Sequence, residues 1–180
     1  MSLHHLAKLK KLMPPLDPPP ENLVDWALAE EVFSLQFPTD FKQLVATYGN
    51  VIWCDLFRPI YPETDTLARC EASKNDVLET MSLIFSDELY DTDGNAVQLA
   101  PYPQLEGLLP CLTDTNSSFV CWHMKGNPDE WKLVQWYSGT VRFLNCDITQ
   151  LICDWISQTP PFEDVWGTFF LGPKKYGIAR

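Results

Sequence analysis

Cys121 and His123 are the thiol and imidazole that lie closest in this sequence, two residues apart in an apolar run at residues 119–124. In a strand that spacing puts both side chains on one face, as a nucleophile and its base require. A reactive thiol must also be exposed and partly ionised. Because apolar residues occupy both faces of the run, we expect a buried structural pair and no catalytic residue.

Oxygen donors alternate at Asp91, Asp93 and Asn95, as they do in loops that bind calcium. The EF-hand spacing fails, because Gly94 stands fourth instead of sixth and Tyr102 takes the twelfth position. The dipeptide Asp93-Gly94 is typical of a hairpin turn. We therefore predict a plain hairpin here and no metal site.

Asp129 and Glu130 are adjacent carboxylates in a turn, where neighbours seldom converge on one bond as a general acid and a general base must. The chain has no phosphate-binding loop, dinucleotide fingerprint, nucleophile elbow or zinc-protease motif. The spacing of its six cysteines gives no zinc signature. We expect no enzyme activity and no cofactor, with an enzyme using Cys121 or the Asp91 cluster as an alternative.

Acidic residues dominate the body of this 180-residue chain. There are 24 acidic and 13 basic residues, a net charge of −11 at pH 7. Six of the basic residues lie near the two ends, so residues 12–173 hold seven basic and 24 acidic residues, a formal charge of −17. Such a body repels nucleic acid and attracts basic proteins at a rate that salt lowers. The charge would equally serve solubility alone.

The amino terminus carries Lys8, Lys10 and Lys11 but no uninterrupted apolar stretch with a cleavage site, so it makes no secretory signal. No segment approaches the roughly 20 apolar residues that cross a bilayer. We therefore expect a cytoplasmic protein without a membrane partner. In that compartment the cysteines are expected to be reduced and buried.

Hydrophobic periodicity predicts helices first, then a block of strands, then a last helix. Helices are expected at residues 20–33, 38–48 and 65–85, a strand at 51–60, a short hairpin after residue 87, a loop at 103–118, strands at 119–124, 131–136 and 140–144, and a helix capped by Asp147. This order predicts an α+β fold, with a mostly antiparallel sheet and helices packed against it in a single domain.

Three parts are predicted along the chain. Residues 1–20 form a basic segment and a proline-rich linker, residues 21–159 form the domain, and residues 160–180 form a C-terminal extension packed on the domain. Leucines at residues 3, 6, 9 and 12 indicate a short amphipathic helix within the basic segment, which would either touch a membrane or pack on the domain.

A series of spaced motifs resembles the SUKH superfamily. Residues 107–110 read Gly-Leu-Leu-Pro, residues 113–116 contain a Thr-Asp-x-Asn turn, Trp122 closes a strand, and residues 126–131 read Gly-x-Pro-Asp-x-Trp, in the family's order. Upstream, Trp26 and Glu30 precede Phe-Pro-Thr-Asp-Phe at residues 37–41 and Tyr-Gly at residues 48–49, which is similar to the family's first block. The resemblance implies a mostly antiparallel sheet with helices against it, and it gives Asp129 a structural role in its turn.

For bacterial members the resemblance implies an immunity role, in which the protein binds a cognate toxin domain and blocks it. Many such toxins are nucleases and therefore basic, so an acidic inhibitor would be steered to them. The sequence thus predicts a non-enzymatic immunity protein whose contact surface mixes acidic residues with exposed aromatic ones. The acidic residues expected to bind the partner are Asp87, Glu88, Asp91, Asp93, Asp114 and Asp129.

An intracellular regulator or scaffold is the alternative, since fungal cell-wall regulators belong to the same superfamily. The sequence leaves the identity of the toxin, the side of the sheet that meets it and the oligomeric state open.

Overall fold

A computed structural model of the protein describes residues 2–15, 17, 24–49, 51–53, 57–114, 118–157 and 176–178. Of the C-terminal extension predicted at residues 160–180, the structure describes residues 176–178. The described helices are α1 (Ser2–Leu12), α2 (Trp26–Phe33), α3 (Thr39–Tyr48), α4 (Leu67–Ile84) and α5 (Ile148–Ile156), with a 3-10 turn at Pro128–Glu130.

The described strands form one sheet of nine members. They are β1 (Val51–Trp53), β2 (Phe57–Pro59), β3 (Leu89–Asp91), β4 (Ala96–Val97), β5 (Leu108–Asp114), β6 (Phe119–His123), β7 (Lys132–Tyr137), β8 (Thr140–Leu144) and β9 (Tyr176–Ile178). Their order is β4-β3-β8-β7-β6-β5-β2-β1-β9. Among these neighbours β3 and β8 are parallel and the other pairs are antiparallel. The predicted α+β class is confirmed.

Local chemistry places several elements where the sequence predicts them. Asp147 accepts a hydrogen bond from the backbone N–H of Gln150 at 2.7 Å and caps α5. Ser138 and Gly139 both have positive φ, which suits the tight turn between β7 and β8. The hairpin of β3 and β4 around Gly94 is confirmed as well.

Strand β5 is the main correction, because its residues were predicted as a loop and that prediction was wrong. Pro110 argues against a strand in this segment, because proline cannot donate a hydrogen bond to a neighbouring strand. The strand accommodates it at a bulge, where the register with β6 shifts between Pro110 and Leu112. β5 thereby pairs with both β2 and β6 and lies inside the sheet.

Two element boundaries also differ from the prediction. The helix expected from residue 20 begins at Trp26, because the carboxylate of Asp25 accepts hydrogen bonds from the backbone N–H groups of Ala27 and Leu28 at 3.0 and 3.1 Å. The strand expected at residues 51–60 is two antiparallel strands, β1 and β2. A segment rich in aromatic and β-branched residues predicts extended backbone, but it does not show that two strands divide it.

Helices α1, α3 and α5 pack together at one face of the sheet. The ring of Phe41 in α3 meets that of Trp122 edge-on, with centroids 4.8 Å apart. The ring of Trp155 in α5 meets that of Phe57 in the same way at 4.6 Å. Such edge-to-face pairs add to the stabilisation that burial of the rings provides.

Helix α1 packs on the domain. Its amphipathic pattern was compatible either with membrane contact or with such packing. Leu6, Leu9 and Met13 are buried in the common core, and the hydroxyl of Tyr48 donates to the carbonyl of Met13 at 2.8 Å. Residues before position 20 therefore contribute to the same core as the domain. No helix among the described residues is both long enough and apolar enough to span a bilayer.

Candidate protein-binding surface

Tyr90, Thr140 and Tyr137 form a row across three neighbouring strands. Tyr90 in β3 is opposite Thr140 in β8, and Thr140 is opposite Tyr137 in β7. Side chains of directly opposite residues point to the same face of a sheet. With a strand spacing of roughly 4.8 Å, the two tyrosines are anchored about 10 Å apart on either side of Thr140.

This row lies on the same face as the core residue Trp122, beyond the part that the helices cover. Leu133 is opposite Trp122, and Tyr137 lies four residues further along the same strand, so its side chain points to that face. Tyr90 is 40% exposed and Tyr137 is 58% exposed. We call Tyr90, Tyr137 and Thr140, all exposed, the tyrosine surface.

The acidic pair Asp87 and Glu88 borders this row. The carboxylate of Glu88 accepts a hydrogen bond from the hydroxyl of Tyr90 at 2.7 Å. That hydrogen bond, together with the negative charge of Glu88, raises the pKa of Tyr90 and keeps the phenol protonated. The backbone N–H of Tyr90 donates to the carbonyl of Gly139 at 3.0 Å, which holds Tyr90 beside the β7–β8 turn.

Asp91 and Asp93, the next two predicted binding residues, belong to the β3–β4 hairpin turn. One carboxylate oxygen of Asp91 accepts from the backbone N–H groups of Asp93 and Asn95 at 2.9 and 2.8 Å. The Asn95 side chain donates to the other oxygen at 3.0 Å, and these hydrogen bonds lower the pKa of Asp91. The carboxylate thus stabilises the turn, while Asp93 is exposed at its tip.

Asp114 and Asp129 also hold turns, and they do so at separate places. Asp114 accepts from the backbone N–H of Ser118 at 2.9 Å, at the β5–β6 turn. Asp129 accepts from the backbone N–H of Thr39 at 2.6 Å and from its hydroxyl at 3.0 Å, so it caps α3 from the β6–β7 connection. The structural role that the resemblance implies for Asp129 agrees with this contact.

The six predicted acidic residues are therefore not brought together as one patch. Strand β5, which carries Asp114, is the fourth strand from β3, about 19 Å across the sheet at the usual strand spacing. Asp129 lies at the end of the sheet opposite the β7–β8 turn. Only Asp87 and Glu88 adjoin the tyrosine surface, and contact of all six residues with a partner stays a prediction.

The cysteines that the structure describes are buried free thiols, as expected. Cys121 is fully buried, and burial raises its pKa far above the usual range. Burial likewise raises the pKa of Cys146 to about 12 and that of Cys153 to about 11. His123 is half-buried beside Phe143, with ring centroids 6.4 Å apart. The raised pKa values favour the protonated form of these thiols at neutral pH.

Metal-binding side chains show no grouping in the part of the chain that the structure describes. No set of three or more histidine, cysteine, aspartate or glutamate residues there is arranged to hold an ion. The oxygen atoms of Asp91, which the sequence offered as a calcium ligand, are engaged by amide donors of its own turn.

Sequence reasoning did not single out Tyr90, Tyr137 or Thr140. A signal was available, because Tyr90 follows the acidic pair by one residue and Tyr137 immediately precedes the Ser138-Gly139 turn. Alternation along each strand assigns a face to a residue, but the pairing of β3 with β8 is needed to put both tyrosines in one row.

Comparison of the chain with protein-family models, with curated proteins and with solved structures finds no match in any of the three. The functional conclusion therefore depends on the residues and contacts of this chain.

Proposed function

We propose that this chain is a non-enzymatic, SUKH-type immunity protein that binds a cognate, basic, nuclease-type toxin domain in the cytoplasm of a bacterium and blocks it. The observation that carries the proposal is the tyrosine surface with its acidic border. Two exposed tyrosines flank Thr140 on the sheet, and Asp87 and Glu88 adjoin them.

Tyrosine is well suited to anchor a protein partner. Each ring buries a large apolar area, and the hydroxyl still satisfies a hydrogen bond. With two side-chain torsions, a tyrosine loses little conformational entropy on binding. Tyr90 is additionally held by its hydrogen bond to Glu88, which reduces the freedom that a partner must remove.

The charge of the chain supplies steering and selectivity. A net charge of −11 draws a basic protein towards this body and repels nucleic acid. A toxin that binds nucleic acid carries a cationic groove, and an acidic inhibitor complements it. Association is then fast at low salt and slows as salt screens the charges.

A partner of standard size covers about 800 Å² of each protein, more than two tyrosines provide. Gln135 in β7 is opposite Arg142 in β8, and both are half-buried. This pair lies next to the tyrosine surface on the same face of the sheet and extends the area open to a partner. We expect the tyrosines to supply most of the binding energy and these polar neighbours to select the partner.

The test is capture of the partner from the native host with the tagged full-length chain. Wild type is compared with the double variant Tyr90→Ser/Tyr137→Ser and with the control Phe143→Ser. Phe143 is 53% exposed, but its side chain points to the other face of the sheet. It pairs with Val134, which lies three residues before Tyr137 on β7 and therefore points away from the tyrosine surface. Captured proteins are identified by mass spectrometry at several salt concentrations.

Wild type and Phe143→Ser should retain one basic toxin domain, the double variant should lose it, and rising salt should weaken capture. Expression of that domain alone should arrest growth, and co-expression of wild type should restore growth. Capture that the double variant leaves intact, or that salt strengthens, would contradict the proposal. A captured host protein without toxicity would favour the alternative of a regulator or scaffold.

A further inference from the structure

A cleft of about 770 Å³ lies between α4 and the other face of the sheet, away from the tyrosine surface. Its sheet wall includes Arg58 from β2, Thr113 from β5 and Phe119 from β6. These three are in register across the strands and point to the face opposite Trp122. The volume falls within the range of clefts that hold small ligands.

Arg58 puts an uncompensated positive charge on the sheet wall. It is exposed, and it makes no ion pair within the described ranges of the chain. Arg69 at the same cleft differs, because its guanidinium lies 3.4 Å from a carboxylate oxygen of Glu63 and 3.2 Å from one of Asp65. In a protein with a large excess of acidic residues, a cation without a carboxylate partner inside a cleft is available to an anionic group.

Tyr61 adds a hydrogen-bond donor to the lining of the same cleft. Its side chain is half-buried, and its hydroxyl has no hydrogen-bond partner among the residues that the structure describes. Burial, and to a smaller extent the charge of Glu63, raises the pKa of Tyr61, so the hydroxyl keeps its proton. Arg58 and Tyr61 together offer donors that suit a carboxylate.

Asp76 puts the opposite charge on the helix wall. Its backbone carbonyl accepts from the hydroxyl of Thr80 at 2.9 Å, but its carboxylate has neither an ion pair nor a hydrogen bond within the described part of the chain. Apolar side chains also line this cleft, among them buried Val77 and half-buried Phe119. The cleft thus has a cation on its sheet wall, an anion on its helix wall and apolar side chains in its lining.

We propose that this cleft binds a short peptide with free ends. The carboxylate of the peptide is bound by Arg58 and Tyr61, its ammonium group by Asp76, and an apolar side chain packs on Val77 and Phe119. An extended chain spans about 3.3–3.6 Å per residue, so a tripeptide covers about 10 Å, which a cleft of this volume accommodates. The proposal is independent of toxin binding, because it concerns the other face of the sheet.

The probe is the tripeptide Ala-Leu-Ala with both ends free, titrated into the full-length chain and followed by calorimetry and by amide chemical shifts. We expect saturable binding, with shifts at Arg58, Tyr61, Thr113 and Phe119. The same peptide acetylated at its amino end, or amidated at its carboxyl end, should bind at least five-fold more weakly. Each modification removes one charge that the cleft is proposed to recognise.

Variants Arg58→Gln, Tyr61→Phe and Asp76→Asn should each weaken binding of the free peptide, by at least five-fold for the two charged positions. The control Arg142→Gln, on the opposite face, should leave it unchanged. The charge exchange Arg58→Asp/Asp76→Arg should bind better than either charge reversal alone, since the peptide can reverse its direction.

Binding of the doubly capped peptide as tightly as the free one would overturn the proposal, as would the absence of shifts at millimolar peptide. Binding that needs only the carboxylate would overturn it too, because the site would then be one for a simple anion. None of these results bears on capture of a toxin domain, so the two proposals fail separately.

Discussion

One face of the sheet changes character along single strands. On β7, Leu133 is fully buried, Gln135 is half-buried and Tyr137 is 58% exposed, although all three point to the same face. On β8, Leu144 and Thr140 show the same contrast. The covered region carries Leu, Trp and Phe side chains against α3 and α5, and the uncovered region carries the tyrosine surface.

The difference teaches that the strand pattern alone does not define a core. The alternation of side chains along a strand determines which face of the sheet each one points to. The helices that pack on that face determine which part of it excludes water. In the covered region a large side chain gains its full burial energy. In the uncovered region the same area stays available to a partner, which is why a change there should affect binding far more than folding.

Trp122→Ala should disrupt the packing of the covered region and lower the free energy of unfolding more than any other variant proposed here. It removes a buried ring that packs on Phe41, and such truncations cost about 3–5 kcal/mol of the free energy of unfolding. Urea unfolding followed by circular dichroism measures the loss. The matched variant Trp122→Phe should keep most of the stability, and equal losses for both variants would contradict the packing described for this ring.

The pKa of Asp40 shows how burial in the covered region changes the ionisation of a carboxyl group. Burial, with the negative charge of Asp147, raises the pKa of Asp40 from 3.8 to about 6. The folded state binds this proton more tightly than the unfolded chain does. The proton's contribution to the free energy of unfolding is therefore complete below pH 3.8, and it is lost as the pH rises through about 6. A shift of this size corresponds to about 3 kcal/mol.

We therefore expect the free energy of unfolding of wild type to fall, relative to that of Asp40→Asn, by that order as the pH is raised from about 4 to about 7. Urea titrations across this pH window provide the comparison. Asp87→Asn, at an exposed position beside the tyrosine surface, serves as the control and should follow wild type. A difference between wild type and Asp40→Asn that does not change with pH would show that the carboxyl group does not titrate in this window.

Asp129→Ala should have an intermediate effect, because it removes the cap that the β6–β7 connection provides for α3. Loss of a side-chain cap costs about 1 kcal/mol, within a range of about 0.5–2 kcal/mol. The neighbouring Glu130→Ala changes an exposed carboxylate outside this cap and should cost less. Thermal or urea unfolding of the two variants would separate a cap from a surface charge, and equal values would argue against the cap.

Tyr137→Ser should have the smallest effect on folding. The ring is exposed, and substitutions at such positions usually change stability by about 0.5 kcal/mol or less. Urea unfolding of this variant beside wild type is the measurement. A large loss of stability would mean that the tyrosine belongs to the core, and it would remove the reason to regard this region as a docking surface.

The sequence predicted most elements whose signal is local. Helix α3 follows from its apolar spacing and Gly49, α5 follows from its cap at Asp147, and β8 follows from its turn and alternating pattern. The class was predictable because helices precede a block of strands joined by short turns. Strand β5 was missed, because its proline is tolerated only through a bulge that depends on the neighbouring strands.

The binding residues were less predictable for a related reason. Acidic side chains in turns look like binding groups in a sequence, yet Asp91, Asp114 and Asp129 accept hydrogen bonds from backbone N–H groups of the chain itself. Only the folded structure shows which carboxylates are engaged in this way. Asp87 and Glu88 gain their place beside the tyrosines from the pairing of β3 with β8.

By itself the sequence determined the charge of the body, the α+β order of its elements and the positions of its caps and turns. These depend on composition and on interactions between residues a few positions apart. The tertiary structure decided which part of a sheet face the helices cover, which acids serve turns, and how Arg58 and Asp76 come to line opposite walls of one cleft. Those outcomes depend on contacts between residues distant in the chain, and no local pattern encodes such contacts.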